Sequence, residues 1–363
     1  MSDSRGHIVR RYARVAAVAL VATAAPCSPA PAAAPAAAAW QVPGTPPVAT
    51  QRIVFSHAGA TLAGVLYRPV VDRPVPAVVV LHGASSGKAS DHLYDHLRTG
   101  LPAMGVAVLI YDRRGEGAST GPLKNIDYPT LAGDGVAGAR ALAKLPSIDP
   151  ARIGYWGLSQ GGWLSVLAAS LDPHAAFAIS VSAPLVTPEL QMEFAMSNHL
   201  SLLGYPQSDV DAMLAARKAW TGYLAGTAPR SAAVAALAAI QNKPWFGLMY
   251  LPSAAELTAN PSTSSWRKEM NEDMLAAVRA VRVPALFIYG GSDPWIPVAS
   301  TVAALKRLAR VQKNIQYAVI AHASHEMMVV PNERMELSPL AAPQSAAYFM
   351  LLGSWLRGVL DAK

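Results

Sequence analysis

Two kinds of apolar pattern divide the chain. Residues 51–57 and 61–67 read as strands that meet at Ala58-Gly59, which predicts an antiparallel hairpin. Beyond it the pattern changes to short, wholly apolar runs at 77–81, 106–111, 153–157, 176–181, 285–289 and 315–320. Each has the length of a strand buried on both faces. Helical segments are predicted between or after them at 91–104, 131–145, 161–171, 298–309 and 345–360. The last two are amphipathic, with Val302, Leu305 and Leu308 on one face and Phe349, Leu352 and Leu356 on the other helix's apolar face. Strands alternating with helices predict an α/β fold, a mostly parallel sheet with helices on both faces.

One stretch breaks the alternation. Residues 184–282 show no strand pattern but several helical segments, at 189–203, 209–224 and 232–240, followed by an aromatic run of Trp245, Phe246, Met249 and Tyr250. Structureless loops of that length are uncommon in compact domains. The stretch is therefore expected to be a helical cap, residues 185–282, inserted between two parts of one core, 51–184 and 283–363.

The amino-terminal residues do not belong to this pattern. Four arginines and a single acid precede an apolar run of about eleven residues at 15–25, the charged and apolar regions of an export signal. The run falls short of the roughly 20 residues that span a bilayer. No stable membrane span is expected from it. Residues 1–39 are read as signal and Ala/Pro-rich segment and 40–50 as linker, giving an exported protein, periplasmic or secreted. Cys27 follows the apolar run and is a candidate lipid anchor, which Pro26 in front of it disfavours. It is the only cysteine, so the chain forms no internal disulfide. Without residues 1–39 the formal charge falls from +7 to near +4. The remaining lysines and arginines are scattered along the sequence, unlike the basic stripe of a nucleic-acid binder. Nothing in the pattern specifies an oligomeric state.

The strongest chemical signal is Gly157-Leu158-Ser159-Gln160-Gly161, reached directly from an apolar strand and leading directly into a helix. This is the nucleophile-elbow pattern in its required context. The tight turn strains the serine backbone and projects its hydroxyl, and glycine two residues to either side lets neighbouring backbones pass. A serine hydroxyl needs a base to remove its proton and an acid to orient that base. Asp293 lies just past the 285–289 strand, and His325 shortly after the 315–320 strand. Both fall at carboxyl ends of strands, on the edge where Ser159 emerges. His322 is the rival base, but it follows its strand too closely to reach over Ser159. His57, His92, His96, His174 and His199 have no motif around them and are read as surface or packing residues. In the loop after the first parallel strand, Leu81-His82-Gly83-Ala84, the Ala84 N–H is expected to join that of Gln160 as an oxyanion hole. His82 is read as a structural hydrogen-bonding residue of that loop. No His/Asp/Glu cluster has metal-ligand spacing, so no metal requirement is expected.

The pieces Leu81-His82-Gly83, Tyr111-Asp112-Arg113-Arg114-Gly115-Glu116-Gly117-Ala118-Ser119, Asp149-Pro150-Ala151-Arg152-Ile153-Gly154, the elbow, Gly291-Ser292-Asp293 and His325 resemble those of exported bacterial esterases of the α/β-hydrolase superfamily. The similarity is to the branch related to dienelactone hydrolases and serine aminopeptidases. It runs from about residue 51 to the end and is weakest across the cap. It implies the α/β-hydrolase fold with an eight-stranded, mostly parallel sheet, a Ser159, Asp293, His325 triad and no cofactor. The 112–119 loop is then expected beside the site without joining the triad. The chain departs from the His-Gly-Gly-Gly loop of lipases and the His-Gly-Gly-Pro-Gly loop of prolyl aminopeptidases.

A small-molecule carboxylic ester is thus the expected substrate. The alternatives are a peptidase or amidase, an acyl-thioesterase, and a non-catalytic binding module on the same fold. Within the cap, Met192, Trp245, Phe246, Met249 and Tyr250 are candidates to line an acyl pocket, although packing is the commoner role of such side chains. Glu189 and Glu193, four apart on one predicted helix, are read as its solvent face, with capture of a substrate amine as the rival role.

Overall fold

The computed structural model describes residues 47–84, 87–330 and 342–362. The export signal, Cys27 and most of the linker lie outside the described residues. The sheet has eight strands: β1 (Val48–His57), β2 (Ala60–Pro69), β3 (Val75–Leu81), β4 (Ala107–Tyr111), β5 (Ile148–Leu158), β6 (Ala178–Val181), β7 (Ala285–Gly290) and β8 (Ile315–Ile320). Their spatial order is β1-β2-β4-β3-β5-β6-β7-β8. β2 runs antiparallel to both β1 and β4, and every pairing from β4 to β8 is parallel. The hairpin turns at Ala58-Gly59 as expected but is longer, and residues 48–50 belong to β1 rather than to a linker.

The wholly apolar strands are explained by layers on both sides. In β3, Val79 and Leu81 join one core cluster while Val78 and Val80 join the other. Helices α1 (Asp95–Ala103) and α10 (Ala346–Asp361) cover the Val78 face through Leu97, Leu101, Phe349, Leu352 and Leu356. The opposite face is covered by α2 (Tyr128–Leu142), α3 (Gln160–Leu171) and α9 (Val298–Leu308) through residues such as Leu131, Leu164 and Leu305.

Between β6 and β7 come five helices: α4 (Pro188–Leu202), α5 (Gln207–Ala225), α6 (Arg230–Ile240), α7 (Ser265–Glu269) and α8 (Met274–Ala280). Most of this stretch has its own apolar cluster, built on Met196, Leu200, Met213, Trp220, Leu237, Trp245 and Met249. Its last helix returns to the sheet, with Met274, Ala277 and Val278 in the core beside α3. Two bonds anchor the end of the stretch: Trp163 Nε1 donates to the Met274 carbonyl of α8 at 2.7 Å, and Tyr128 Oη to the Glu269 carboxylate of α7 at 3.1 Å.

Candidate active site

Parallel register aligns the carboxyl ends of the central strands. Leu81 pairs with Gly157, Leu158 with Val181, Val181 with Ile288, and Gly290 with Ile320. The segments that leave these ends carry Ala84, Ser159, Asp293 and His325, so one edge of the sheet gathers them all.

At the end of β5 the chain reverses into α3 with Ser159 at φ 58° and ψ −124°. Its N–H donates to the Val181 carbonyl at 2.8 Å, which ties the turn to the neighbouring strand. The flanking glycines are sterically required. A Cβ at Gly157 would sit 1.9 Å from the Gly161 carbonyl oxygen, and one at Gly161 would sit 2.1 Å from that of Leu81. The second approach also brings the amino end of α3, where the Gln160 N–H lies, against the loop that leads to Ala84.

Asp293 is buried and divides its carboxylate between two tasks. Oδ1 accepts from the backbone N–H groups of Trp295 at 2.8 Å and Ile296 at 3.2 Å, while Oδ2 accepts from His325 Nδ1 at 2.8 Å. The bond to Nδ1 leaves Nε2 as the ring's basic nitrogen. His325 is itself buried, and its carbonyl accepts from Ser182 Oγ at 2.8 Å. Ser182 directly follows Val181, so adjacent residues of β6 and its exit hold the Ser159 turn and the His325 loop. His322 is exposed, at φ 55°.

His82 sits where a loop-structuring residue should. It donates from Nε2 to the Tyr111 carbonyl and accepts from Tyr94 Oη at 2.8 Å, and burial pushes its pKa down to about 4. Asp112 braces the neighbouring loop, accepting from the Ala89 and Ala118 N–H groups at 2.7 Å each.

The cap meets the acid's loop through residues that carried no sequence motif. Gln191 Nε2 donates to the Trp295 carbonyl at 2.9 Å and Asn198 Nδ2 to that of Pro294 at 3.0 Å. The His199 ring packs on Trp295 at 4.3 Å between centroids, and Trp295 lies 6.3 Å from the His325 ring. His199 is buried, and the loss of water holds its pKa below the usual value. Tyr250 meets Trp295 edge-on at 6.2 Å between centroids.

Two expectations for the cap need correction. Trp245 and Met249 have no accessible surface and belong to the cap's own cluster. A side chain with no accessible surface adjoins no water-sized space, so neither lines a pocket in this conformation. Met192 and Phe246 pack on the same cluster while staying partly accessible, and Tyr250 is exposed. Glu189 is not on a solvent face. It pairs with the buried Arg217 at 2.8 Å and accepts from Trp266 Nε1 at 3.0 Å. Burial raises its pKa, with the Arg217 charge acting the other way. Both hydrogen bonds, from Arg217 Nη2 and Trp266 Nε1, go to Oε2, and they hold the carboxylate inside the cap; Glu193 is half-buried.

A family model described as the alpha/beta hydrolase family matches residues 78–336, well over half of the chain. The chain belongs to that family. A stretch is 35% identical over 127 residues to a polyketide transferase of Stachybotrys chlorohalonatus, covering 35% of this chain and 41% of that protein. Another is 32% identical over 124 residues to a thiohydrolase of Arthrinium phaeospermum, covering 34% and 39%. The chain thus spans about two fifths of the length of these relatives. An esterase of Pyrococcus furiosus superposes with a TM-score of 0.57 at 16% identity, covering 85% of this chain and 91% of the other, and so shares the fold.

Proposed function

We propose that the protein is a serine hydrolase that cleaves small carboxylic esters through an acyl-enzyme on Ser159. The observation that carries this reading is the buried Asp293–His325 hydrogen bond on the sheet edge where the strained Ser159 turn emerges. In the mechanism, His325 Nε2 takes the Ser159 proton as Oγ attacks the acyl carbon. Asp293 holds the imidazole in the tautomer that makes this possible and stabilises the imidazolium. The N–H groups of Gln160 and Ala84 receive the oxyanion, each such donor being worth about two to three orders of magnitude in rate. Collapse of the tetrahedral intermediate expels the alcohol, which takes the proton from His325. Water, activated by the same nitrogen, then releases the acid. No step calls for a cofactor.

A second reading, transfer or hydrolysis of acyl thioesters, draws support from the polyketide transferase and thiohydrolase among the relatives. The same residues would serve it, with a thiol as leaving group. Aryl ester, acyl thioester and peptide anilide assayed side by side separate the readings, and covalent capture of Ser159 by an organophosphonate tests the site common to both. A kcat/KM for thioesters well above that for esters would replace the first reading with the second, and no capture would remove both. We read residues 1–39 as an export signal, and a secreted product beginning near Trp40 is the expected outcome of mass spectrometry.

A further inference from the structure

A second cluster of charged residues, sharing no residue with the Ser159 site, lines a groove of about 730 Å³ between β1 and α2. Its floor is apolar, formed by Phe55, Val136 and Leu145, and a further apolar side chain on its lining, Leu171, is about half exposed. Arg52, Arg140 and Lys144 stand on its rim, all exposed. Among the described residues none of these three cations is in an ion pair, and the groove's lining includes no acid.

The groove also has a built end. His57 lies directly over Gly133 of α2, where a Cβ would come within 2.4 Å of its ring. Its Nδ1 donates to Asp134 at 2.8 Å, and that buried carboxylate is gripped by Arg114 through bonds of 2.8 and 2.5 Å. Asp134 and Arg114 are 1% and 2% exposed, so they are a scaffold for the ring rather than ligands of anything in solvent. The Asp134–Arg114 pair thus fixes the ring that closes this end of the groove.

We propose that this groove binds an amphiphilic anion, an alkyl chain with an anionic head. The tail covers the apolar floor and Leu171, and the head meets Arg140 and Lys144. Unpaired cations around an apolar trough with no acid favour this chemistry on both counts: the guanidinium offers charge-assisted hydrogen bonds to an oxyanion, and the floor offers area to an alkyl chain. A neutral chain would leave the cations unused, and a small anion would leave the floor uncovered. The inference does not depend on the Ser159 chemistry.

The test is calorimetric titration of the full chain with sodium laurate and, separately, with dodecyl phosphate, both below their micellar concentrations. Saturable binding of at least one is expected. It should weaken about tenfold or more in the Arg140→Gln/Lys144→Gln double variant, whose altered side chains are exposed. The stronger of the two probes tells whether the head is a carboxylate or a phosphate. Dodecanol and acetate should both bind far more weakly. An isotherm unchanged in the double variant would overturn the proposal, as would dodecanol binding as tightly as the anions. Ala137→Asp adds a carboxylate to the lining and offers an independent check: undiminished binding there also counts against the groove.

Discussion

The sheet edge and the cap are built on different principles. At the edge, position is set by backbone. Ser159 and Ser182 are both held at positive φ, two glycines admit no side chain, and strand register brings the segments to one level. In the cap, position is set by side chains that find one another over long separations. Glu189 reaches Arg217, Trp220 stacks on Trp266 at 6.3 Å, and Trp245 fills the centre. The two regions meet along the helix Met274–Ala280, which packs on α3, and at the loop of Asp293, through Gln191, Asn198 and His199. A region held by backbone geometry tolerates little change but writes its demands into local sequence. A region held by side-chain packing can drift in sequence while keeping its shape. Substitutions at the edge should therefore act on rate, and those inside the cap on stability.

The largest effect expected is at the serine. Ser159→Ala should lower kcat by about 10⁵-fold or more with the melting temperature little changed, as expected when the nucleophile of a triad is removed. His325→Ala should match it, whereas His322→Ala should leave kcat almost untouched. A large loss on replacing the exposed His322 would reverse the choice of base and break the edge half of the comparison.

Asp293→Asn comes next. The amide can keep an acceptor toward the Trp295 and Ile296 N–H groups but would favour the wrong imidazole tautomer, which in a triad costs about 10⁴-fold in kcat. Steady-state kinetics with an aryl ester, together with near-UV circular dichroism to verify the loop, measures this. Full activity would leave Asp293 with only its turn-forming role.

Within the cap the sign of the contrast should invert. Trp245→Ala removes a fully buried ring and should cost about 3–5 kcal/mol in urea unfolding, while the folded protein turns over nearly as before. Tyr250→Ala, at an exposed position beside Trp295, should do the opposite: stability within about 0.5 kcal/mol of the parent, and a changed preference along a series of acyl chains from acetate to palmitate. A clear change of chain preference in Trp245→Ala would return that residue to the pocket.

His82 provides a smaller effect with a defined pH window. Its folded pKa of about 4 lies below the ordinary 6.5, so between those values the unfolded chain binds the additional proton. Its contribution is fully present above pH 6.5 and is lost as pH falls through about 4, up to about 3 kcal/mol in all. His82→Gln should flatten the fall in stability across that window relative to the parent. An unchanged slope would show that the ring is not held neutral by burial.

The uneven legibility of the sequence follows from the same contrast. The eight strands, the family and the candidate residues Ser159, Asp293 and His325 could be read because each depends on neighbours close in sequence: an apolar run, a glycine two positions away, a strand just ended. The start of β1 escapes a local reading because Val48, Ala49 and Thr50 pair with residues 67–69, which no local pattern announces. Glu189 reads as solvent-facing because its partner is 28 residues away, and Trp245 reads as a pocket residue because aromatic composition does not say what a ring touches. Arg52, Arg140 and Lys144 are scattered in sequence and gather only when β1 folds against α2.

The finest test addresses the junction between the two regions. Gln191 and Asn198 each donate to a carbonyl of the segment that follows Asp293, and His199 packs on Trp295 between them. These are positioning contacts: they touch neither Ser159 nor the Asp293–His325 bond, yet they hold the backbone that presents the carboxylate. Removing one such bond costs about 1 kcal/mol. If that energy holds the acid's loop in place, Asn198→Ala should lower kcat several-fold with KM nearly unchanged, and the Gln191→Ala/Asn198→Ala pair should lower it further. The pH profile of kcat/KM should move as well, because a loosened carboxylate stabilises the imidazolium less and lowers the apparent pKa of the base. Asn198→Asp, which replaces the donor by an acceptor facing a carbonyl, should be worse than alanine. A purely structural junction predicts a different outcome, a fall in cap stability with kcat and its pH profile unmoved. In that case the sheet edge would hold its own geometry and the cap would serve only to cover it.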